Sequence, residues 1–250
     1  MKFVLDIAYK GSNYHGWQRQ PNAISVQEVV SAKLSVILGE EIEIVASGRT
    51  DAGVHALQQI VHFVYASDLP KGFLKSMNAL MPSDIAINEV YEAGDDFHAR
   101  FDATDRTYHY FIGSKKDPFK QDQFYLFYPH LDMEKMNEAA GYLLQHTNFE
   151  CFSKVHTDVN HFHCEINKAY WQKDENGSMM FTIQANRFLR GMVRAIVGTL
   201  MDVGSGKISP QDIKKIILSK NRKEAGRSVP ACGLFLAEVG YPDGSFRPVN

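Results

Sequence analysis

Cysteine is scarce in this chain. Cys151, Cys164 and Cys232 are three among 250 residues, scattered and odd in number. That argues against a disulfide scaffold and for a reducing compartment. No apolar run approaches the length needed to cross a bilayer. The opening MKFVLDIAYKG alternates like a strand and has no small-residue cleavage site, so it reads as a cytoplasmic protein's first strand rather than a signal peptide. GxGxxG and GxxxxGK[ST] loops are both missing, which disfavours dinucleotide and nucleoside triphosphate cofactors. CxxC and HExxH are missing too. The spacing of His156, His161, His163 and Cys164 matches no usual structural zinc pattern, so no metal is expected. A net charge of −2 argues against a uniformly basic nucleic-acid binder.

What is present is ordinary in bulk and uneven in detail. Apolar residues at 44% and charged residues at 22% suit a folded protein long enough to bury a real core. Residues 187–227, however, hold ten of the 27 Lys and Arg side chains against three acids, Asp202, Asp212 and Glu224. Such asymmetry fits a phosphate-facing surface, and equally the solvated faces of two helices.

Periodicity gives a strand at 3–9, a helix opened by the capping box Ser25-Val26-Gln27-Glu28 and stopped by Gly39, and strands at 41–47 and 58–66. A helix near 71–80 and a strand at 85–93 follow. The second half reads as a strand at 106–113 and a helix over 132–145 capped by Asp132. Strands near 166–173 and 179–186 are joined by the turn Glu175-Asn176-Gly177-Ser178. A long apolar helix at 188–204 comes next, then one opened by Ser209-Pro210, and a strand at 233–241. Strands and helices mix without strict βαβ alternation, which indicates α+β with a largely antiparallel sheet.

Between two strand-like runs lies Gly48-Arg49-Thr50-Asp51-Ala52-Gly53-Val54-His55. A tight turn needs no such chemistry. The two glycines permit unusual backbone, and a carboxylate between them is ionised at neutral pH and can serve as nucleophile or base. Arg49 could orient that carboxylate, grip a phosphate, or fill the place of a displaced base. A plain loop, with Asp51 in an Asx-turn and Arg49 paired to it, explains the same residues. Phe97-His98-Ala99-Arg100-Phe101-Asp102 and Arg106-Thr107-Tyr108-His109-Tyr110 interleave rings with basic groups, as unpaired nucleotides require. Most of those rings also fit a core at strand spacing, while Tyr108 and Tyr110 share a face and either could line a pocket. Residues 13–20, NYHGWQRQ, form a polar and aromatic loop of recognition character.

These blocks, with YKGSNYHGWQRQP (9–21), GRTDAGVHA (48–56), DFHARFDAT (96–104), NRFLRGMVRAIVG (186–198) and VPACGLFL (229–236), run in order over nearly the whole chain. Together they resemble the TruA family of tRNA pseudouridine synthases. The resemblance implies isomerisation of uridine at positions 38 to 40 of the tRNA anticodon arm, by a homodimer that needs neither cofactor nor metal. It implies Asp51 as the catalytic aspartate, Arg49 as the arginine assisting extrusion of the target nucleotide, and Tyr108 packed on the base. Phe97, His98, Ala99, Arg100 and Phe101 match a tRNA-contacting segment, and Arg194 is a further substrate-binding candidate beside Arg190, Lys214 and Lys215. The implied fold joins two RNA-recognition-like α+β halves, about 1–105 and 106–250, in one sheet with a central cleft. The chain departs from the family at Arg190-Gly191, where many members have two histidines, and over 154–165. Two rivals remain: a non-catalytic RNA-binding protein, which would not need Asp51, and a metal-dependent hydrolase using the His/Cys cluster.

Overall fold

A computed structural model describes residues 1–154, 159–173 and 177–249. In chain order its first elements are β1 (Lys2–Tyr9), α1 (Val26–Leu38), β2 (Val45–Ala46), β3 (His55–Val64), α2 (Phe73–Leu80) and β4 (Ile85–Ala93). Then come β5 (Asp105–Gly113), β6 (Tyr125–Leu126), α3 (Met133–Leu143), β7 (Ile166–Lys173) and β8 (Met179–Ala185). The chain closes with α4 (Met192–Gly204), α5 (Asp212–Ser219), β9 (Leu234–Gly240) and β10 (Phe246–Pro248).

Two compact α+β units result: Met1–Thr104 with Phe235–Asn250, and Asp105–Leu234. In the first unit β1 lies between antiparallel β3 and β4, β10 extends β4, and β9 joins β3 in parallel at His55↔Phe235 and Ala56↔Leu236. The central strand is apolar almost throughout: Phe3, Val4, Leu5 and Ile7 are buried. Its one carboxylate, Asp6, accepts from Gln58 Nε2 at 2.8 Å and Asn88 Nδ2 at 2.9 Å, which satisfies a buried acceptor. Helix α1 starts as its capping box requires: the Ser25 hydroxyl accepts from the Glu28 N–H, and Gly39 ends the helix at φ 76°. In the second unit β8 pairs antiparallel with both β5 and β7. Every residue of α4 except Arg194 and Asp202 is buried, so this helix is the unit's core.

The expected strand at 41–47 shrinks to Val45–Ala46. Its missing part is bonded by helix α1 instead: the Ser31 hydroxyl donates to the Ile42 carbonyl, the Ile42 N–H to Ser35 Oγ at 3.0 Å, and Gln27 Nε2 to the Ile44 carbonyl at 3.2 Å. Ile42 and Ile44 are nevertheless buried, which is the pattern that reads as strand. The helix expected from 188 begins at Met192, because Gly191 adopts φ 71°. Ser209 does not cap α5. Its N–H and hydroxyl both donate to the Asp212 carboxylate, closing a turn ahead of the helix. Nor does the C-terminal segment stay with a 106–250 half: residues 235–249 pair with β3 and β4 and belong to the first unit. Of the expected turn 175–178, residues 175 and 176 lie outside the described residues.

Candidate active site

The loop at 48–55 leaves β2 and enters β3 under tight backbone control. Ser47 N–H donates to the Ile60 carbonyl at 2.8 Å, and Gln59 Nε2 donates to the Gly48 carbonyl at 2.8 Å. Thr50 is buried, its Oγ1 2.8 Å from the Tyr9 hydroxyl and its carbonyl accepting from the Trp17 N–H at 3.2 Å. The Val54 N–H returns to the Asp51 carbonyl at 3.1 Å. Gly53 uses the left-handed region at φ 76°, as its type allows, and sends its N–H to the Tyr14 carbonyl. Gly48 has no positive φ and open space where a Cβ would sit, so the freedom expected of both glycines is needed at one. Asp51 is half-buried and Arg49 exposed. Arg49 makes no ion pair among the described residues, so the plain reading of an Arg49–Asp51 pair is absent.

What braces this loop is the segment read as a recognition loop. Tyr14 and Trp17 are buried, and a Cβ on Gly16 would lie 2.4 Å from the Thr50 carbonyl oxygen. Gly16 itself sits at φ +89°. A Cβ on Gly11 would lie 1.9 Å from the Val54 carbonyl oxygen. Tyr14 Oη donates to Asp84 Oδ1 at 2.6 Å and Asn13 Nδ2 to Asp84 Oδ2 at 2.9 Å, tying the brace to the turn before β4. His15, Gln18, Arg19 and Gln20 remain exposed. Sequence reasoning missed the brace; the glycines within an aromatic loop were its only signal.

Residues 97–102, in the same unit, alternate between anchoring and display. Phe97 and Ala99 are buried. Phe97 meets Tyr241 and Phe246 at 5.5 and 5.6 Å between ring centroids, Lys2 Nζ donates to its carbonyl at 2.6 Å, and the Tyr241 hydroxyl donates to the Ala99 carbonyl. The Ala99 N–H donates to His62 Nδ1 at 3.1 Å. Burial, reinforced by the charges of His98 and Lys2, lowers the His62 pKa to about 4, so the ring stays neutral and can accept. The other face carries His98, Arg100 and Phe101. Phe101 is 74% exposed, packed by His98 at 4.3 Å with the Arg100 guanidinium 5.6 Å from its centroid. An exposed ring held between two basic groups can stack on a base and meet its phosphate.

The remaining candidates lie in the second unit. Tyr108 on β5 is half-buried and meets Phe188 edge-on at 5.1 Å. Tyr110, on the same strand face, is sealed: its hydroxyl donates to the Pro230 carbonyl at 2.9 Å, and burial pushes its phenol far above the ordinary range. Arg194 Nε donates to the Val229 carbonyl at 2.6 Å, so this candidate ties α4 to the segment that follows α5. Lys214 lies 4.2 Å from the Tyr142 ring centroid and Lys215 2.7 Å from Asp212. Of the suspected metal cluster, His156 falls outside the described residues. His161 Nε2 faces Arg187 at 3.1 Å, and burial raises the Cys164 thiol to about 11, leaving it protonated. No group of three potential metal ligands occurs among the described residues. No helix among them is long and apolar enough to cross a membrane.

A mixed sheet, a braced loop carrying a carboxylate, and displayed aromatic and basic side chains suit chemistry on RNA. The chain belongs to the tRNA pseudouridine synthase family, whose profile matches residues 7–102 and 139–242. Its relatives narrow this further. It is 47% identical over 249 residues to the tRNA pseudouridine synthase A of Bacteroides fragilis, covering 98% of each chain. The protein of that name from Bacteroides thetaiotaomicron is 46% identical over 248 residues, covering 98% of this chain and 92% of its own. That of Bacillus licheniformis is 40% identical over 246 residues, covering 96% and 99%. The activity is that of an isomerase converting uridine to pseudouridine in tRNA.

Proposed function

We propose that the protein isomerises uridine to pseudouridine at positions 38, 39 and 40 of the tRNA anticodon arm, with Asp51 as the catalytic carboxylate. The observation that carries this reading is the Asp51 loop itself. Its backbone is held by Trp17, Tyr14 and Gln59 and its Thr50 side chain by Tyr9, while Arg49 makes no hydrogen bond or ion pair among the described residues. Preorganisation of that kind serves chemistry at a fixed point. The reaction breaks N1–C1′, turns the base and forms C5–C1′; the C5 hydrogen leaves as a proton and N1 gains one, so composition is unchanged. A stacked base cannot turn, so the nucleotide flips out first, and flipping carries an unstacking cost of a few kcal/mol. Asp51 then attacks as nucleophile or removes a sugar proton. Arg49, exposed two residues away, fills the vacated stack or grips the flanking phosphate. Tyr108 packs on the detached base, and Phe97 to Phe101 contact the RNA through His98, Arg100 and Phe101, with Phe97 and Ala99 as their buried anchors. Arg194 is kept as a substrate-binding candidate, with its Nε already committed to the Val229 carbonyl. The enzyme works as a cytoplasmic homodimer without cofactor or metal, a reading supported by the family resemblance and by the missing phosphate-loop and zinc motifs.

Tritium release from C5-labelled tRNA tests the assignment, because forming C5–C1′ expels that hydrogen. Wild-type protein releases label from positions 38 to 40, and Asp51→Asn releases none while still binding tRNA. Label released by Asp51→Asn at the wild-type rate would remove Asp51 from the chemistry.

A further inference from the structure

We propose that His55 is a positioning residue, whose Nδ1 locks the frame that holds Asp51 by accepting the Gly11 N–H. The inference rests on Asp51 as the catalytic group. His55 opens β3 and is buried at 1% exposure, an unusual place for an imidazole without a specific partner. Its Nδ1 lies 3.0 Å from the Gly11 nitrogen, which fixes the proton on Nε2, and its ring stacks on Phe235 at 4.5 Å between centroids. Phe235 pairs with His55 across the β3–β9 ladder, so the ring plane is set by the sheet.

The position of this bond gives it its consequence. Three backbone contacts hold the loop against the brace: Trp17 N–H to Thr50, Gly53 N–H to Tyr14, and the close approach of Gly16 to Thr50 and Asp51. All three depend on where residues 11–17 begin, and that beginning is Gly11. The Gly11 N–H to His55 bond therefore fixes the exit of the Asp51 loop to the start of its brace. Gly11 cannot shift closer, since even a Cβ would meet the Val54 carbonyl oxygen at 1.9 Å. Without an acceptor at position 55, a buried N–H is left unpaired and the brace is free to slide. A displacement of about 1 Å at a reacting carboxylate can cost on the order of 100-fold in rate.

Two substitutions separate positioning from mere filling of space. His55→Leu keeps the apolar volume and removes the acceptor. His55→Asn keeps an acceptor, because its Oδ1 can stand where Nδ1 stood. Two readouts are compared at equal folded fraction, set by thermal melting: the single-turnover rate at saturating tRNA, and the rate of trypsin cleavage after the exposed Arg49. His55→Leu is expected to lower the single-turnover rate by about 10- to 100-fold with tRNA Kd changed less than about threefold, and to speed cleavage after Arg49. His55→Asn is expected to restore most of both. Equal single-turnover rates for the folded His55→Leu and wild-type proteins, or equal losses in His55→Leu and His55→Asn, would overturn the proposal. So would unchanged cleavage after Arg49. The cleavage readout does not depend on the role of Asp51. Faster cleavage together with an active Asp51→Asn would mean that His55 fixes the loop but that the carboxylate reading has failed.

Discussion

In the first unit, the loop at 48–55 is held by main-chain and buried contacts, and the Arg49 guanidinium stands outside them. In the second unit, guanidinium groups are themselves the holding contacts. Arg194 bonds the Val229 carbonyl, Arg222 NH1 bonds the Ala225 and Gly226 carbonyls at 3.3 and 3.0 Å, and Arg227 reaches the Tyr125 hydroxyl at 3.0 Å. Arg194 fastens the segment after α5 onto α4, Arg222 closes that segment on itself and Arg227 ties it to β6, while Gly198 of α4 lies so near the Arg227 carbonyl that a Cβ would approach to 1.8 Å. Arginine suits that work because its planar fork satisfies several carbonyls and keeps its charge when partly buried. A run of positive charge in sequence is thus not yet a surface open to phosphate. A single arginine beside two glycines can be.

The comparison breaks first at Asp51. Asp51→Asn keeps shape and loses the ionised oxygen, so turnover should fall by at least about 1,000-fold, as when a nucleophile or base is removed, with tRNA affinity within a few-fold. Arg49→Ala should likewise lower the single-turnover rate far more than affinity, since flipping follows docking. If it lowered affinity alone, Arg49 would be a docking contact like any other cation.

Next is the brace. Gly16→Ala places a Cβ 2.4 Å from the Thr50 carbonyl oxygen at a φ of +89° that L residues rarely adopt. We expect loss of about 1–3 kcal/mol of stability and a turnover loss beyond what the unfolded fraction explains. Urea titration followed by single-turnover assay on the folded fraction separates the two. Arg222→Ala should show the opposite profile: a similar loss of stability, about 1–3 kcal/mol from unpaired carbonyls, but an unchanged single-turnover rate and an unchanged salt dependence of tRNA binding. A shallower salt slope would mean that Arg222 also meets phosphate.

How much of this is legible in the sequence depends on which atoms make the contacts. The capping box of α1, the Asp132 cap of α3, whose Oδ1 accepts the Lys135 N–H at 3.1 Å, and the strands at 85–93 and 166–173 are written in side chains and their period. The truncation of 41–47 is not, because Ser31, Ser35 and Gln27 reach its backbone from a helix that reads as complete without it. The brace is invisible for a related reason: apart from the His55 Nδ1 that accepts the Gly11 N–H, its bonds to the Asp51 loop run through main-chain atoms, which every residue type carries. Arg49 and Asp51 stood out because their chemistry is unnecessary in a turn. Tyr110 could not be told from Tyr108 by alternation alone, and only the Pro230 carbonyl accounts for its hydroxyl.

The display segment offers a pH test. The folded His62 pKa, lowered to about 4 by burial with help from His98 and Lys2 and opposed by Asp102, lies below the unfolded value near 6.5. The unfolded chain therefore takes up this proton first. The stability that His62 contributes is full above about pH 6.5, declines as pH falls toward 4 by at most about 1.4 kcal/mol per pH unit, and levels below. His62→Asn keeps an acceptor for the Ala99 N–H and cannot titrate. Its urea midpoint should fall less between pH 6.5 and 4.5 than that of the wild type. Parallel curves would show that the His62 proton is not what that pH range unbalances.

The smallest effect is expected at Lys215, on the exposed face of α5. Its ammonium lies 2.7 Å from Asp212, with the lysine side chain 81% exposed, and an ion pair so open to solvent contributes little to stability. Asp212 has other partners as well: the Lys215 bond first, and then the Ser209 hydroxyl and N–H at 2.7 and 2.9 Å, hold it well below the usual carboxylate range. Lys215→Gln should therefore leave the urea midpoint within error. The informative reading is the salt dependence of tRNA binding. A lysine that prefers Asp212 to phosphate leaves that slope unchanged. One that turns to the RNA shallows it by about 0.7 to 0.9 on removal, the contribution of one phosphate contact. We expect no change, because Lys215 already holds Asp212, as Lys207 holds Asp202 and Lys214 lies over the Tyr142 ring. A slope shallowed by one contact would show that RNA can draw a cation out of such a pair, and would return this stretch to the phosphate-facing surface that its composition advertises.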